Sequence, residues 1–321
     1  MKTPVALLIF KRPDTTAKVF EAIRQAKPPK LLIVADGPRI DRPNEAEQCM
    51  ATRAVVENVD WDCEVIRNYS DINLGCGVRP ATGISWVFEQ VEEAIILEDD
   101  CVPEHTFFQF CDELLEKYKD DARVLHISGS NYQFGRTRGN YSYYFSRHPH
   151  CWGWATWRRA WQHYDFKMQN WSDVRDSDFL VKVHQSHRVA KYWSRIFDET
   201  INMHESSKGN SSNVHIWDYQ WTFACWLMNG YSIIPNVNLV SNIGFGESAT
   251  HTLRKSKHSQ MSVSNINFPL KHPPSIVWNK QADYFTHETL FEANFLMRAQ
   301  DKYIKLLNKI FPDSKTNTHQ Q

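Results

Sequence analysis

Short runs of apolar residues alternate with longer amphipathic segments over the first half of the chain. The apolar runs are too short to be helices and are bounded by turn-forming residues, so they predict buried strands. Predicted strands lie at 4–10, 31–35, 63–67, 94–97 and 124–127. Because strands that alternate with helices indicate parallel β-α-β units, the pattern predicts an α/β fold with a mostly parallel central sheet flanked by helices.

The second half of the chain is less regular and is rich in aromatic residues. Predicted helices cover 14–26, 44–59, 80–90, 103–119, 176–204, 217–228 and 284–310, and a further short strand is expected at 232–235. Two polar stretches, 202–213 and 244–265, are interpreted as loops. The segment 130–160, rich in Gly, Tyr, Trp and Arg, shows no clear periodicity.

Charged side chains follow three of the predicted strands. Arg12 comes after the first strand, Asp36 after the second, and Glu98, Asp99 and Asp100 after the fourth. Parallel sheets bind ligands beyond the carboxyl ends of their strands. The sequence therefore predicts that these five residues meet at one site.

Three adjacent carboxylates at the end of an apolar strand are unfavourable unless a positive charge neutralises them. A divalent cation with a diphosphate fulfils this requirement, because Mn²⁺ and Mg²⁺ bind one or two carboxylates together with substrate phosphates. The alternative is a solvated acidic helix start, where carboxylates interact favourably with the helix dipole.

Composition narrows the class of protein further. The chain has 321 residues with 37 basic and 37 acidic side chains, so its net charge gives no argument for nucleic acid or for an anionic membrane. Its seven cysteines are irregularly spaced without a CxxC pair, which favours reduced thiols. No segment approaches the roughly 20 apolar residues that span a bilayer. A cytoplasmic protein with at most peripheral membrane contact is expected.

The triplet and the residues after it resemble a known family. The stretch 94–118 is similar to the N-acetylglucosaminyltransferase I family, which branches N-glycans, and to bacterial sugar transferases labelled haemolysin-like. The resemblance extends over 4–255 and includes Phe10-Lys11-Arg12-Pro13, Ala35-Asp36-Gly37, Asn73-Leu74-Gly75, Ile127-Ser128-Gly129 and Cys151-Trp152-Gly153-Trp154-Ala155-Thr156-Trp157.

This resemblance implies a GT-A-type fold of nucleotide-diphospho-sugar transferases. Residues 1–255 would form the glycosyltransferase domain, and 256–321 a C-terminal helical extension. Within the domain, 1–128 would be the nucleotide-sugar-binding half and 129–255 the aromatic-rich acceptor and catalytic half.

The family's donor-site roles fall on the residues that follow the strands. The resemblance implies that Asp100 binds the metal, that Asp99 contacts the ribose and that Glu98 lies beside the nucleotide. Arg12 and Asp36 would contact the nucleotide; their alternatives are a surface arginine and a turn-forming Asp-Gly-Pro.

Asn73, Gly75 and Arg79 precede the strand that carries the triplet. Similar transferases place donor-sugar or phosphate contacts there, and a glycine at a helix start offers backbone N–H groups to anions. A plain turn and helix cap is the alternative.

The second half of the chain is expected to supply the base and the acceptor site. The family's base is a single aspartate in a Trp-rich stretch, and Asp218 fits better than Asp165, Asp173 or Asp178. A carboxylate in an apolar cleft can take the proton of an acceptor hydroxyl. As an alternative, Asp218 is simply a helix cap.

Aromatic residues and one late loop complete the expected site. Trp152, Trp154 and Trp217 are candidates for contact with the acceptor, although core packing accounts for them equally well. His251 is the candidate for a further metal ligand, and Arg254 for a contact with the diphosphate.

Together these features predict a metal-dependent, inverting glycosyltransferase that uses a nucleoside-diphosphate sugar, with UDP as the expected nucleotide. The acceptor is expected to be a glycan or a lipid-linked sugar. A sugar-1-phosphate nucleotidyltransferase is the first alternative, although the loop after the first strand lacks the glycines that such an enzyme needs. A non-catalytic glycan-binding or toxin-like protein is the second.

Overall fold

A computed structural model describes residues 1–207, 214–245 and 261–292 of the chain. The strands are β1 Val5–Ile9, β2 Lys30–Ala35, β3 Glu64–Tyr69, β4 Glu93–Glu98, β5 Cys101–Pro103, β6 Val124–Ser128, β7 Tyr143–Ser146, β8 Trp154–Trp157, β9 Tyr231–Pro235 and β10 Val240–Asn242. The helices are α1 Pro13–Ala26, α2 Glu45–Val55, α3 Gly75–Gln90, α4 Thr106–Tyr118, α5 Arg158–Trp161, α6 Trp171–Val174, α7 Phe179–His184, α8 His187–Ser206, α9 Asp218–Leu227 and α10 Lys280–Thr286.

Eight strands form one sheet in the order β3-β2-β1-β4-β8-β6-β9-β7. Strands β3, β2, β1 and β4 are parallel, and so are β6 and β9. β8 runs antiparallel between β4 and β6, and β7 runs antiparallel at the edge. The predicted α/β fold with a mostly parallel central sheet flanked by helices is therefore confirmed.

The sheet has a hydrophobic core on each face, as expected when alternate strand residues point to opposite sides. In β1, Val5, Leu7 and Ile9 face the core that includes side chains of α1 and α4. Ala6 and Leu8 face the other core, which includes side chains of α3, α8 and α9. Burial on both faces explains why the parallel strands are almost wholly apolar.

The second core contains most of the tryptophans of the aromatic-rich half. Trp154, Trp193, Trp221 and Trp226 are completely or almost completely buried there. Most tryptophans of this half are therefore core residues, and only a few of them are accessible at the surface.

Two strands and several boundaries differ from the expectations. β7 and β8 lie in the segment 130–160, where no periodicity is visible because all four residues of each strand are buried. The predicted helix at 176–204 is divided at Gln185, which is left-handed, and α8 starts after the Ser186 cap. The loop predicted at 202–213 begins within α8.

Within 261–292 the chain returns to the β7 edge of the sheet. Trp278 forms a β-bridge with Phe145 of β7, and α10 leads into a π-helix, His287–Glu292. The division of the chain at residue 255 remains a prediction. Among the described helices, none combines the length and the apolar character needed to cross a membrane.

Candidate active site

The acidic triplet lies at the carboxyl end of β4, beside the end of β1. The two strands are parallel neighbours, with Leu8 opposite Glu98. Arg12, at the start of α1, donates to Asp99 and also reaches Asp100, with 2.9 Å between Nη2 and Oδ2. The Phe10 amide donates to Asp99 Oδ2 over 3.2 Å. The predicted meeting of Arg12 with the triplet is thus present.

The triplet concentrates three carboxyl groups at the strand end, and those of Asp99 and Asp100 are buried. Burial, followed by the neighbouring Asp100 and Asp99, raises the pKa of Glu98 to about 8. Burial also raises the pKa of Asp99 to about 6, although Arg12 and the Phe10 amide act in the opposite direction. A cluster of this kind favours a positively charged partner.

A small second sheet supports Asp100. β5 pairs with β10, so that Asn242 lies opposite Cys101. The Asn242 amide is 3.4 Å from Asp100 Oδ1, and the Ile243 N–H donates to the Asp100 carbonyl over 2.8 Å. Gly244 follows directly, and a Cβ there would lie 2.0 Å from Asp100 Oδ2. The backbone at Gly244 therefore lies so close to the Asp100 carboxylate that a side chain at this position would clash with it.

Asp218 is the first residue of α9, and its charge reaches the triplet. Its charge contributes to the raised pKa of Glu98 and to those of Cys151 and Tyr164, behind burial as the main cause. It also acts on Tyr132. The structure thus brings Asp218 and Glu98 to one place from opposite halves of the sequence.

The segment before α9 is held by a close backbone approach. A Cβ on Gly77, near the start of α3, would lie 2.1 Å from the carbonyl oxygen of Val214. The Cys76 sulfur lies 3.8 Å from Nδ1 of His215. These contacts fix where the chain enters α9 and hence where Asp218 lies.

The three candidate tryptophans have different surroundings. Trp152 is half-buried and meets Tyr132 and Phe245 edge-on, with ring centroids 5.7 Å apart in each pair. Trp154 is completely buried, and Trp217 is nearly so and stacks on it at 6.0 Å. Of the three, Trp152 alone has an appreciable accessible surface near the site.

Asp36 lies at the end of β2 and is almost fully enclosed. Its carboxylate accepts hydrogen bonds from the backbone N–H groups of Gly37, Leu74 and Gly75 and from the Asn73 side chain, at 2.9–3.0 Å. Asp36 therefore joins the end of β2 to the start of α3. Its predicted contact with a nucleotide, like those of Asn73 and Gly75, stays a prediction.

Arg79 is also buried and engaged within the protein. Its Nε donates to the Ala35 carbonyl over 3.1 Å, and its Nη2 donates to the backbone and side-chain oxygens of Asn68. The guanidinium thus connects the ends of β2 and β3. The predicted contact of Arg79 with the donor stays a prediction.

His251 and Arg254 lie outside the described residues. Within the described parts of the chain, no group of three or more His, Cys, Asp and Glu side chains is arranged to hold a metal ion.

Sequence reasoning missed the contribution of Tyr132 and Asn242. Tyr132 lies in the segment without periodicity, and Asn242 ends a three-residue strand. The Gly-Phe-Gly sequence that follows Asn242 was a usable signal, because Gly244 and Phe245 both border the site.

No family model matches the chain, and no curated protein matches it. Several solved structures resemble its backbone. Mouse xyloside xylosyltransferase 1 is 9% identical, covers 70% of this chain and 82% of its own, and gives a TM-score of 0.32. A 4-diphosphocytidyl-2C-methyl-D-erythritol synthase from Anaerococcus prevotii is 9% identical, with 49% and 72% covered and a TM-score of 0.29.

A UDP-glucose pyrophosphorylase in complex with UDP-glucose is 13% identical. This match covers 45% of the present chain and 62% of the pyrophosphorylase, with a TM-score of 0.25. At these identities and TM-scores the likenesses carry no argument about chemistry.

Proposed function

We propose that this protein is a GT-A-type, metal-dependent glycosyltransferase that moves a sugar from a nucleoside-diphosphate donor, UDP in the first instance, to a glycan or lipid-linked acceptor. One observation carries the proposal. An acidic triplet at the carboxyl end of a parallel strand, with Asp99 and Asp100 buried, is bound by Arg12, and the charge of Asp218 acts on its Glu98. In this proposal the carboxylates of the triplet bind the donor, and the carboxylate of Asp218 removes the proton, within a single site.

Asp100 is the proposed metal ligand, and its two oxygens differ. Oδ2 faces Arg12 at 2.9 Å, whereas Oδ1 has only long contacts with the described residues, 3.4 Å to the Asn242 amide and 3.5 Å to the Cys101 sulfur. Oδ1 fits a hard cation that shares its remaining ligands with a diphosphate, as Mn²⁺ and Mg²⁺ do. When bound, such a cation supplies the charge that stabilises a departing diphosphate.

Arg12 positions both carboxylates, and Asp99 is the proposed ribose contact. Because Asp99 also accepts from the Phe10 amide, its side chain is held in place before any ligand arrives. Such preorganisation reduces the cost of binding and of reaching the transition state. The triplet and Arg12 lie at the carboxyl ends of the adjacent strands β1 and β4, which is where parallel sheets bind ligands.

Asp218 is the proposed general base. Its carboxylate takes the proton of the acceptor hydroxyl while that oxygen bonds to the anomeric carbon and the bond to the diphosphate breaks. Direct displacement of this kind inverts the configuration at the anomeric carbon. Trp152, Tyr132 and Phe245 form the proposed aromatic edge for the acceptor sugar.

The first experiment is a thermal-shift panel with UDP-, GDP-, dTDP- and CMP-sugars, each with Mn²⁺ and with EDTA. One nucleotide is expected to raise the melting temperature only with metal, since ligand at a hundred times its Kd stabilises a protein by about 2.7 kcal/mol. Asp100→Asn should abolish this rise, whereas Asp120→Asn, an exposed control, should retain it. An undiminished metal-dependent rise in Asp100→Asn would contradict the assignment of Asp100 as the metal ligand.

Products separate the proposal from the nucleotidyltransferase alternative. A glycosyltransferase releases free nucleoside diphosphate from the sugar nucleotide when an acceptor is supplied. A nucleotidyltransferase instead releases pyrophosphate from a nucleoside triphosphate and a sugar 1-phosphate. Binding of a sugar nucleotide without hydrolysis or transfer would favour a non-catalytic role.

A further inference from the structure

A basic and aromatic loop projects from the edge of the sheet before β7. The 133–141 loop contains Arg136 and Arg138 but no acidic residue. Phe134 and Tyr141 are among the exposed large hydrophobic residues, with 41% and 43% of their surface accessible. A chain with zero formal charge therefore carries a local patch that combines positive charge with aromatic surface.

The loop is held firmly at its base. The Gln133 side chain donates to Thr286 Oγ1 over 2.8 Å and accepts from Arg138 Nε over 2.6 Å. The Asn236 side chain accepts from the Arg138 N–H and donates to the carbonyls of Arg138 and Tyr141, over 2.8–3.2 Å. A loop with so many side-chain contacts presents its tip in a defined orientation.

The tip reaches into open space. Gly135 and Gly139 have φ angles of +83° and +79°, and a Cβ at either position would meet nothing within 4 Å. Phe134, next to the first of them, also has a positive φ of 50°, which is unusual for a bulky residue. The turn therefore directs the loop outward, away from the core.

The arginines are supported by an aromatic ring rather than by acids. The Arg136 guanidinium lies 4.1 Å from the centroid of Phe285, and that of Arg138 lies 5.6 Å from it. Neither arginine forms an ion pair with another described residue. Cation–π contact keeps the guanidinium charge and leaves N–H donors available to an external anion.

Lys271 adds a third positive charge beside the loop. Its backbone pairs with Ser142, with 2.8 Å bonds in both directions, and its side chain is exposed. Asp283, in the adjacent α10, is buried, and its oxygens accept from Ser146, the Arg147 amide and Trp278. This carboxylate is thus occupied inside the protein and does not offset the surface charge.

We propose that the 133–141 loop docks the protein on the surface of an anionic lipid bilayer. Arginines bind lipid phosphates, while exposed Phe and Tyr side chains enter the interfacial region, which is the combination that interfacial proteins use. The chain enters the loop directly from Tyr132, which packs on Trp152. Docking there would place the aromatic edge of the candidate site near the bilayer.

The test is co-sedimentation of the full chain with vesicles, without nucleotide or metal. Binding is expected to vesicles of equal parts phosphatidylcholine and phosphatidylglycerol, but not to phosphatidylcholine alone, and it should weaken with added salt. Arg136→Glu with Arg138→Glu should lower the affinity roughly tenfold or more, because each basic residue at an anionic surface contributes appreciably.

Two further variants keep the result interpretable. Arg136→Glu alone reverses one charge and leaves the contacts of Arg138 with Gln133 and Asn236 in place, so it should fold normally and still lose affinity. Lys18→Glu with Arg42→Glu makes the same charge change near α1 and α2, at the opposite end of the sheet, and should bind as the wild type does.

The proposal is overturned if the wild type does not bind anionic vesicles, if both loop variants bind them with unchanged affinity, or if the wild type binds neutral vesicles equally well. Because no donor or acceptor is present, these outcomes do not depend on whether the protein transfers a sugar.

Discussion

Arg12, which follows β1, holds two buried carboxylates, Asp99 and Asp100, at the end of β4. Without it, Asp99 would retain only the Phe10 amide among these contacts, and Asp100 would lose its nearest positive charge. A buried carboxylate without a partner is strongly unfavourable. At the scale of single residues, the candidate site is therefore an arrangement of charges in which each member depends on the others.

Asp218→Asn tests the division of roles within that arrangement. The amide keeps the size of the side chain but cannot accept a proton, so transfer is expected to fall at least a hundredfold. Metal-dependent binding of the sugar nucleotide should persist. Calorimetric donor binding and acceptor-dependent product release measure the two effects separately.

Asp173→Asn is the matched control, because Asp173 is an exposed aspartate in the same half of the chain. It is expected to leave both donor binding and transfer unchanged. Transfer at the wild-type rate in Asp218→Asn would mean that another group is the base.

The start of helix α3 is held in place by Asp36, which follows strand β2. Four donors from Gly37 and from residues 73–75 converge on the two oxygens of Asp36. Such a carboxylate satisfies backbone N–H groups that have no partner within the helix. At the scale of elements, Asp36 thus fixes the helix that also packs, through Gly77, on the segment leading to Asp218.

Asp36→Ala should destabilise the protein, whatever Asp36 does for a ligand. Several buried donors would lose their acceptor, at about 1–3 kcal/mol for each one left unsatisfied, so a loss of at least about 2 kcal/mol is expected. Urea unfolding followed by tryptophan fluorescence measures it. Asp41→Ala, an exposed change in the same connection, should cost little; equal stability of the two variants would contradict this structural role.

Buried neutral histidines occupy the face of the sheet opposite α1 and α4. Burial lowers the pKa of His126 and of His148 to about 3. His126 accepts from the Trp221 indole at Nδ1 and faces the His150 carbonyl through Nε2, which is the pattern of a neutral ring protonated at Nε2. At the scale of the whole molecule, this core tolerates histidine only in its uncharged form.

The sign of the pH dependence follows from the direction of these shifts. A histidine whose folded pKa lies below the ordinary value of about 6.5 binds its proton first in the unfolded chain. Its contribution to stability is present above pH 6.5 and is lost as the pH falls toward 3. Buried carboxyls with a raised pKa, such as Asp283 at about 6, act in the opposite sense, so a comparison with a variant is required.

His148→Phe should make the protein less sensitive to acid. Between pH 7.5 and pH 5 the variant should gain about 2 kcal/mol of unfolding free energy relative to the wild type, from the titration of one buried histidine. Denaturant unfolding at the two pH values measures this difference. His163→Gln, at an exposed position, is the control. An equal loss in wild type and His148→Phe would show that His148 is not responsible.

The sequence by itself determined the parallel half of the sheet and the position of the acidic triplet. Apolar runs such as Leu31–Ala35 are strands in any context that buries both faces, and residues at the ends of adjacent parallel strands must lie close together. The sequence could therefore assign Arg12, Asp36 and Glu98 to Asp100 to one edge of the sheet, whereas the structure showed that β1 and β4 are neighbours.

Only the tertiary structure decided which of the other candidates border the site. β8 has no alternating pattern, so its insertion between β4 and β6, which buries Trp154, depends on long-range pairing. The engagement of Arg79 with Ala35 and Asn68 likewise depends on partners distant in sequence. Local pattern specifies secondary structure and its ends, whereas burial and the pairing of charges are properties of the assembled fold.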